Sequence, residues 1–324
     1  MIITRTPLRI SLGGGGTDLP HYSDQSGGFL VAAAISKYVF IAVNPTFDDE
    51  ILLKYRSVES VTDPVDIQHP LLRECLVHLG ISHGVEISSM ADIPAGTGLG
   101  SSGSFAVGVL RALHAHKHEI VSNRVLAEEA CTIEIDRLRE PIGKQDQYIA
   151  ALGGITAFEF NQDGTVGAAS VCIPTEARHR IEDNLLLFFT GVRRSASDIL
   201  AVERDPRSPQ ALDENLDAVK ALGRESFATL EAGDLAAFAS LLTRQWELKY
   251  ERSPTPVHDQ VDGWIRDGIG AGALGGKLVG AGGGGFLLFY ADEKGGLRAA
   301  MAQHGLEEVR FRIDYEGTTT IVAQ

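Results

Sequence analysis

Three glycine-rich runs in this chain combine the residue types that bind small anions. They are residues 8–18 (LRISLGGGGTD), 93–103 (IPAGTGLGSSG) and 277–286 (KLVGAGGGGF). Glycine permits positive φ and lets a backbone come close to a ligand, at an entropic cost in folding. Three such runs, each bordered by apolar residues, predict loops held by a rigid scaffold around a small anionic ligand.

The second run contains the pattern G-x-G-x-x-G at residues 98–103. In dinucleotide-binding folds an acidic residue follows this pattern ~20 positions later at the end of a strand, whereas here Glu119 lies in a polar segment and Pro94 precedes the loop. The run also lacks the lysine of a P-loop. There remains a glycine loop that leads into a helix N-terminus, whose free N–H groups favour phosphate. Ser101 and Ser102 could cap that helix or reach a metal-bound phosphate, and a simple cap and turn is the alternative.

Four acidic or basic residues near these runs are candidates for catalysis. Arg9 and Asp18 lie at the two edges of the first run. Alternatively, Arg9 is only a surface charge and Asp18 an ordinary turn or cap residue. Asp146 begins an apolar stretch and could act as a general base beside a cation, or simply favour a helix N-terminus. Glu134 lies on the preceding predicted helix. Alternatively, it belongs to the solvated face of that helix or pairs with an arginine.

Composition limits the classes of function. The 324 residues suffice for one large or two moderate domains, and the apolar fraction of 44% is that of a globular protein. The net charge of −14 disfavours binding to nucleic acid or to an anionic membrane. We expect no membrane span, no secretory signal and no zinc site, and three cysteines without metal-ligand spacing fit buried thiols in a reducing cytoplasm.

The apolar pattern predicts strands and helices that would hold these residues. Strands are expected over residues 29–35 and 38–43, a helix from 101 to about 116, and a second helix from Ser122 that stops before Pro141. Further along, the pattern predicts a hairpin over 155–173, a strand at 185–189, helices near 209–231, 234–251 and 256–268, a strand through the third glycine run to 290, a helix near 292–304 and a last strand pair within 308–323. We place the boundary between two lobes in the polar segment 174–183, which divides the chain into domains 1–174 and 175–324.

Taken together, these motifs resemble those of the GHMP kinase superfamily, named for galactokinase, homoserine, mevalonate and phosphomevalonate kinases. All three family motifs occur in order across essentially the whole chain. As in its sugar kinases, Arg9 precedes Asp18 by nine positions and Glu134 precedes Asp146 by twelve. The resemblance implies an α+β fold of two lobes, a mixed β/α N-terminal lobe and a ferredoxin-like C-terminal lobe, with the active site between them.

The resemblance also implies roles for individual residues, with ATP and Mg²⁺ as cofactors. Asp146 would accept or orient the proton of the attacking sugar hydroxyl, and Arg9 would keep it ionised. Ser102 and Glu134 would ligate Mg²⁺. The ATP phosphates would be held by the loop residues Pro94, Gly96, Gly98, Leu99, Gly100, Ser101, Ser102 and Gly103, and the sugar by Gly15, Gly16, Thr17, Asp18, Lys144 and Arg193.

Residues of the first run indicate which of the family's substrates this chain does not use. Gly15 and Gly16 stand where galactokinases carry Glu-His before Thr-Asp, which argues against galactose. The motifs most resemble the branch that phosphorylates the anomeric hydroxyl of heptose 7-phosphates, and next the fucokinases. A further alternative is a catalytically silent protein of this family that binds a sugar or a nucleotide as a regulator. Cations for a sugar phosphate would come from Lys37, Arg139, Lys144, Arg193 and Arg194, and we expect a cytoplasmic monomer or homodimer.

Overall fold

The computed structural model describes residues 1–192, 209–252, 256–280 and 282–323, which contain two β-sheets. The strands of the first sheet are β1 (Ile2–Gly13), β2 (Gly28–Pro45), β3 (Ile51–Lys54), β4 (Val58–Val61), β5 (Val85–Ala91), β6 (Ile155–Phe160), β7 (Val166–Ser170) and β12 (Thr319–Ala323). The helices of this lobe are α1 (Pro20–Ser26), α2 (Pro70–His78), α3 (Ser101–His116), α4 (Asn123–Cys131) and α5 (Gln145–Leu152).

The long strand β2 organises the first sheet, whose order is β12-β1-β2-β5-β3-β4. Its first part pairs with β6, its second part with β5, and β1 runs antiparallel along both. The two strands predicted over 29–35 and 38–43 are therefore one strand. The pairing continues across the polar break at Ser36 and Lys37 because β1 shifts its register between Pro7 and Leu8.

The alternation of side chains along β1 separates core from cavity. Leu8, Ile10 and Leu12 are fully buried in the hydrophobic core. Successive side chains of a strand point to opposite faces, so Arg9 and Ser11 lie on the other face, where both line a large cavity. One short stretch of sequence therefore supplies both an anchor in the core and two polar groups of a site.

The helices predicted in the first lobe are confirmed. α3 begins at Ser101, and the Ser122 hydroxyl caps α4 by accepting from the Val125 amide at 3.3 Å. α4 continues into a π-helical turn over Thr132–Arg137, which ends before Pro141. The predicted hairpin is confirmed as β6 and β7, paired in antiparallel fashion.

The second lobe is built on an antiparallel sheet of order β11-β8-β10-β9. Its elements are α6 (Thr175–Asn184), which leads into β8 (Leu185–Phe189), then α7 (Pro209–Ala232), α8 (Leu235–Arg252), α9 (Pro256–Gly270), β9 (Gly275–Val279), β10 (Phe286–Tyr290), α10 (Lys294–Gln303) and β11 (Glu307–Glu308). The sheet strands and helices from β8 onward follow the β-α-β-β-α-β order of a ferredoxin-like lobe, with three helices in the first crossover of the described chain. The predicted α+β fold of two lobes is confirmed.

Three predictions differ from the observed fold. The strand expected through the third glycine run is two strands, β9 and β10, which pair with each other. The expected pairing of the last two strands is wrong, because β11 pairs with β8 while β12 returns to the first sheet beside β1. Cys75 and Cys131 are buried as expected, but Cys172 is exposed.

None of the helices in the described part of the chain combines the length and the apolar character that a membrane span requires.

Candidate functional site

A cavity of about 1120 Å³ lies where the three glycine runs meet. Most residues predicted for the site line it: Arg9, Gly15, Gly16, Asp18, Pro94, Gly96, Gly98, Gly100, Ser101, Ser102, Gly103, Glu134 and Asp146. The third run contributes Gly280, Gly282, Gly283 and Gly284. Residues from both lobes thus surround one space large enough for two small ligands.

Arg9 and Asp146 form a two-pronged ion pair at one side of this cavity. Arg9 Nε donates to Asp146 Oδ1 at 2.7 Å, and its Nη2 donates to Oδ2 at 2.9 Å. The third guanidinium nitrogen donates to the Gly98 carbonyl at 2.6 Å. Arg9 is only 5% exposed, so the pair is desolvated and its geometry is tightly defined. The Asp146 carboxylate therefore has a fixed orientation beside the second glycine run.

The second glycine run leads directly into α3, as predicted. Gly100 adopts left-handed backbone (φ 73°) before the helix begins. A Cβ there would lie 2.9 Å from Arg9 Cγ, and one on Gly103 would lie 2.8 Å from Asp146 Cβ. Only glycine lets the helix N-terminus come this close to the ion pair. The first amides of α3 have no carbonyl partner within the helix and therefore favour an anion in the cavity.

Ser102 and Glu134 meet beside that helix N-terminus. The Ser102 hydroxyl donates to Glu134 Oε1, and Gln147 Nε2 donates to Oε2 at 2.6 Å. Burial raises the pKa of Glu134 to about 7 although both hydrogen bonds lower it. A buried carboxylate with an elevated pKa is one that a bound cation would stabilise.

The donor set at this point fits Mg²⁺. A carboxylate and a hydroxyl are hard oxygen ligands, and Mg²⁺ commonly takes one or two carboxylates together with substrate phosphates. No cluster of three or more His, Cys, Asp or Glu able to hold a metal occurs among the described residues. Glu134 and Ser102 would hold such an ion together with substrate phosphate oxygens and water.

Asp18 also lines the cavity and is almost fully buried. Its carboxylate accepts from the Gln145 backbone amide and side-chain amide, both at 3.1 Å. The pKa of Asp18 is raised to about 6, mainly by burial and also by the charge of Asp146, against the lowering effect of the Gln145 hydrogen bond. Gly143 packs directly on this carboxylate, so a side chain at that position would collide with it. Asp18 is thus a buried hydrogen-bond acceptor at the cavity wall.

Three other predicted residues lie outside the cavity lining. The Thr17 hydroxyl donates to the backbone carbonyls of Gly14 and Phe29, which ties the first run to β2. Leu99 is fully buried in the core. Lys144 donates its ammonium to the Gly164 carbonyl in the β6–β7 hairpin at 2.7 Å. Arg193 lies outside the described residues.

The third glycine run packs against the second. Gly280 has φ 82°, and a Cβ there would lie 2.5 Å from the Gly98 carbonyl oxygen. Gly98 in turn faces the Val279 carbonyl, which a Cβ would approach to 2.9 Å. The glycines therefore let two backbones from different lobes meet at the edge of the cavity.

The sequence analysis missed several cavity residues. Lys277, Gln245, Lys249 and Arg252 line it from the second lobe. One signal was available for Lys277: a single lysine within the buried strand β9 departs from the apolar pattern of its neighbours. The α8 residues gave no such signal, because polar residues are ordinary on a helix of mixed pattern.

An aromatic group closes the other end of the cavity. His69 stacks on Phe105 with ring centroids 5.4 Å apart and meets Tyr55 edge to face at 4.8 Å. Burial lowers the pKa of His69, which favours the neutral ring. Arg56 lines the same end. A flat, neutral platform with a cation beside it suits a planar base.

Comparison with known families agrees with this geometry. The model for the GHMP kinases N-terminal domain matches residues 69–154, which contain the second glycine run, Glu134 and Asp146. The model for the GHMP kinases C-terminal domain matches residues 218–306, which contain the third run, and together the two cover more than half of the chain. The chain belongs to the GHMP kinases.

Individual relatives place this GHMP kinase near sugar kinases. A D-glycero-alpha-D-manno-heptose 7-phosphate kinase from Campylobacter jejuni is 29% identical over 306 residues, covering 90% of this chain and 89% of the relative. An L-fucokinase/L-fucose-1-P guanylyltransferase from Bacteroides fragilis is 28% identical over 89% of this chain. The chain spans about a third of that bifunctional protein (34%).

Solved structures show the same fold. A D-glycero-D-manno-heptose 1-phosphate kinase from Bacteroides thetaiotaomicron matches with a TM-score of 0.82 at 24% identity, and each chain is covered completely. Lactococcus lactis galactokinase, solved with galactose, matches with a TM-score of 0.77 at 19% identity, over 100% of this chain and 95% of that one. At these identities the likeness concerns the fold.

Proposed function

We propose that this protein is an ATP-dependent sugar kinase that phosphorylates the anomeric hydroxyl of a heptose 7-phosphate. One observation carries the kinase assignment: the Arg9–Asp146 pair lies against a glycine loop and helix N-terminus that also present Ser102 and Glu134. The proposed sites for the phosphates, the metal ion and the acceptor hydroxyl are then all next to the Asp146 carboxylate. The GHMP kinase domains support phosphotransfer, and the Campylobacter relative supports the heptose phosphate.

In the proposed reaction the acceptor hydroxyl oxygen bonds to the γ-phosphorus of ATP and the bond to the β–γ bridging oxygen breaks, which releases ADP. Asp146 orients the hydroxyl and takes its proton. Arg9 keeps the carboxylate in place and faces the charge that develops on the transferred group. The α3 amides hold phosphate oxygens, and Mg²⁺ bound at Ser102 and Glu134 would neutralise phosphate charge. The work of the protein is therefore mainly positioning and electrostatic stabilisation.

Recognition of the sugar would fall to the first glycine run and Asp18. Gly15 and Gly16 leave space at the cavity wall, and a Cβ on Gly16 would lie 3.8 Å from Arg252 Nη2. A bulky polar ligand therefore fits here next to a cation. The buried Asp18 would accept hydrogen bonds from ring hydroxyls, since a sugar hydroxyl can donate a hydrogen bond without adding a charge to the buried site.

A direct test uses the purified protein with Mg-ATP and a panel of sugars, with products resolved by phosphorus NMR. We expect transfer to D-glycero-D-manno-heptose 7-phosphate and a new anomeric phosphate signal, absent with Asp146→Asn. Transfer only to free fucose or another free sugar would contradict the phosphosugar assignment and favour the fucokinase alternative. No transfer at all, with ATP still bound, would favour a silent regulator.

A further inference from the structure

Lys277 is a buried cation of the cavity to which the proposed mechanism gives no role. It lies in the middle of β9, is 5% exposed and lines the cavity. Its ammonium donates to Gln245 Oε1 at 3.1 Å and to Ser11 Oγ at 3.4 Å. Both partners are neutral, and among the ion pairs of the described residues none joins Lys277 to a carboxylate.

The charges around Lys277 are also unfavourable to it. Arg9 on β1 and Lys249 on α8 are the two charged groups that act on its ammonium, and both are cations. Burial lowers the pKa of Lys277 to about 7, and these two cations add to the effect. A buried ammonium without an anion is costly. The protein therefore holds a site that an anionic ligand would complete.

The position of Lys277 indicates which group of a ligand would supply that anion. Ser11 follows Arg9 by two residues on β1, so both side chains share the face that looks into the cavity. The Ser11 hydroxyl lies 3.4 Å from where a Cβ of Gly15 would be. Through Ser11, Lys277 thus adjoins the first glycine run on the face of β1 that also carries Arg9, the partner of Asp146.

We propose that Lys277 binds a phosphate group of the ligands that meet at Asp146. This inference rests on the proposed function and deepens it, because it names a binding residue from the second lobe. Two phosphates have the required chemistry: the γ-phosphate of ATP and the acceptor's own phosphate. In either case the anion stabilises the charged ammonium, so the protein takes up a proton as the ligand binds.

Calorimetric titration at pH 8, in two buffers of different ionisation enthalpy and with Mg²⁺ in excess, measures this uptake. The ligands are a non-hydrolysable ATP analogue, ADP, D-glycero-D-manno-heptose 7-phosphate and the unphosphorylated heptose. Their phosphates are already ionised at this pH, whereas Lys277 is mostly neutral. We expect uptake of about one proton with the ligand whose phosphate Lys277 contacts.

Variants assign that uptake to Lys277. Lys277→Met should abolish it and weaken the same ligand by about 10- to 100-fold, the range for one hydrogen bond to a charged group. Lys277→Arg, which stays charged, should retain part of the affinity without the uptake. Lys117→Met removes a lysine that pairs with Glu119 outside the cavity and should match the wild type. Circular dichroism checks that each variant is folded.

The ligands separate the two sources of phosphate. Uptake with the ATP analogue but not with ADP assigns Lys277 to the transferred phosphoryl group, and uptake with the heptose phosphate but not with heptose assigns it to the acceptor. Affinities for all the ligands that are unchanged in Lys277→Met would overturn the proposal. Absence of phosphotransfer to every sugar phosphate would instead refute the proposed function, while the ATP titration still decides the role of Lys277.

Discussion

Four charged side chains in the cavity are buried to a degree that is unusual for ionisable groups. Arg9, Asp18, Glu134 and Lys277 are each 5% exposed or less. Only Arg9 has a charged partner at hydrogen-bond distance within the described chain, namely Asp146. Charged groups are rarely so buried unless they are paired, which supports the proposed roles of the other three toward ligand and metal. Two predictions concern single residues of the site: Asp146, the partner of Arg9, and Asp18.

Asp146→Asn should lower kcat by about 10²- to 10⁴-fold, the usual contribution of a positioned proton acceptor. The amide is isosteric with the carboxylate but cannot take the proton. Mg-ATP binding should stay within about threefold of wild type, since asparagine keeps the shape of the side chain that packs against Gly100 and Gly103. Steady-state kinetics and calorimetry measure the two quantities. Asp49→Asn, at a fully solvated carboxylate 92% exposed, is the control, and an unchanged kcat in Asp146→Asn would refute the role.

Asp18→Asn should stabilise the protein at pH 7 while weakening the sugar. A carboxyl with its pKa raised from 3.8 to about 6 binds its proton more tightly in the folded state. The free energy of unfolding therefore falls as the pH rises from about 4 to about 6, and stays lowered above that range. Asparagine does not titrate, so the variant avoids this loss of about 2 to 3 kcal/mol in the free energy of unfolding.

Urea unfolding of wild type and Asp18→Asn between pH 4 and pH 8 measures that difference. It should be near zero at pH 4, grow up to about pH 6 and then stay constant. A difference that is independent of pH would show that the carboxyl is not perturbed by burial. Sugar affinity, measured separately, should fall in the variant because an amide accepts fewer hydrogen bonds than a carboxylate.

Between elements, the contact of the second and third glycine runs joins the two lobes at the cavity edge. Gly280→Ala places a Cβ against the Gly98 carbonyl in a backbone with φ 82°. We expect a loss of more than about 2 kcal/mol in the free energy of unfolding, from steric overlap and left-handed backbone together. Activity should fall as well, because the nucleotide loop must shift.

Gly295→Ala is the matched control for this change. Gly295 lies in the first turn of α10, and a Cβ there meets nothing within 4 Å. Alanine at a helical position should leave stability equal or slightly raised. Thermal unfolding of the two variants compares them directly, and equal melting temperatures would contradict the steric argument.

Across the whole molecule, a hydrophobic core cluster with residues from both lobes joins them, and elements of each lobe pack on the other. α7 packs on β1 and β2 of the first sheet, and β12 returns to that sheet from the second lobe. Gln245 on α8 also donates to the Leu12 carbonyl at 3.1 Å. We therefore expect the lobes to unfold together.

The two tryptophans test this coupling, because Trp246 and Trp264 both lie in the core of the second lobe. Their fluorescence should change at the same urea concentration as the far-ultraviolet circular dichroism of the whole chain, as coincident transitions require. A fluorescence transition at a separate midpoint would show that the second lobe unfolds independently.

Local patterns in the sequence were enough to predict much of this protein. The glycine runs, the helices from Ser101 and Ser122, and the β6–β7 hairpin follow from turn chemistry, capping and periodicity, which act over a few residues. Arg9, Asp18, Glu134 and Asp146 could also be named as candidates, because their spacing matches that of the sugar kinases which the motifs resemble. Whether Thr17 or Lys144 face a ligand was not readable, because either could also hold a carbonyl.

Tertiary structure alone decided the contacts between distant segments. The merging of two predicted strands into β2, the return of β12 to β1 and the meeting of Gly98 with Gly280 depend on pairing partners far away in the chain. The same holds for Lys277, whose lysine was visible in the sequence but whose burial between Ser11 and Gln245 was not. Burial sets the pKa values of Asp18, Glu134 and Lys277, and burial exists only once distant segments of the chain have packed around these side chains.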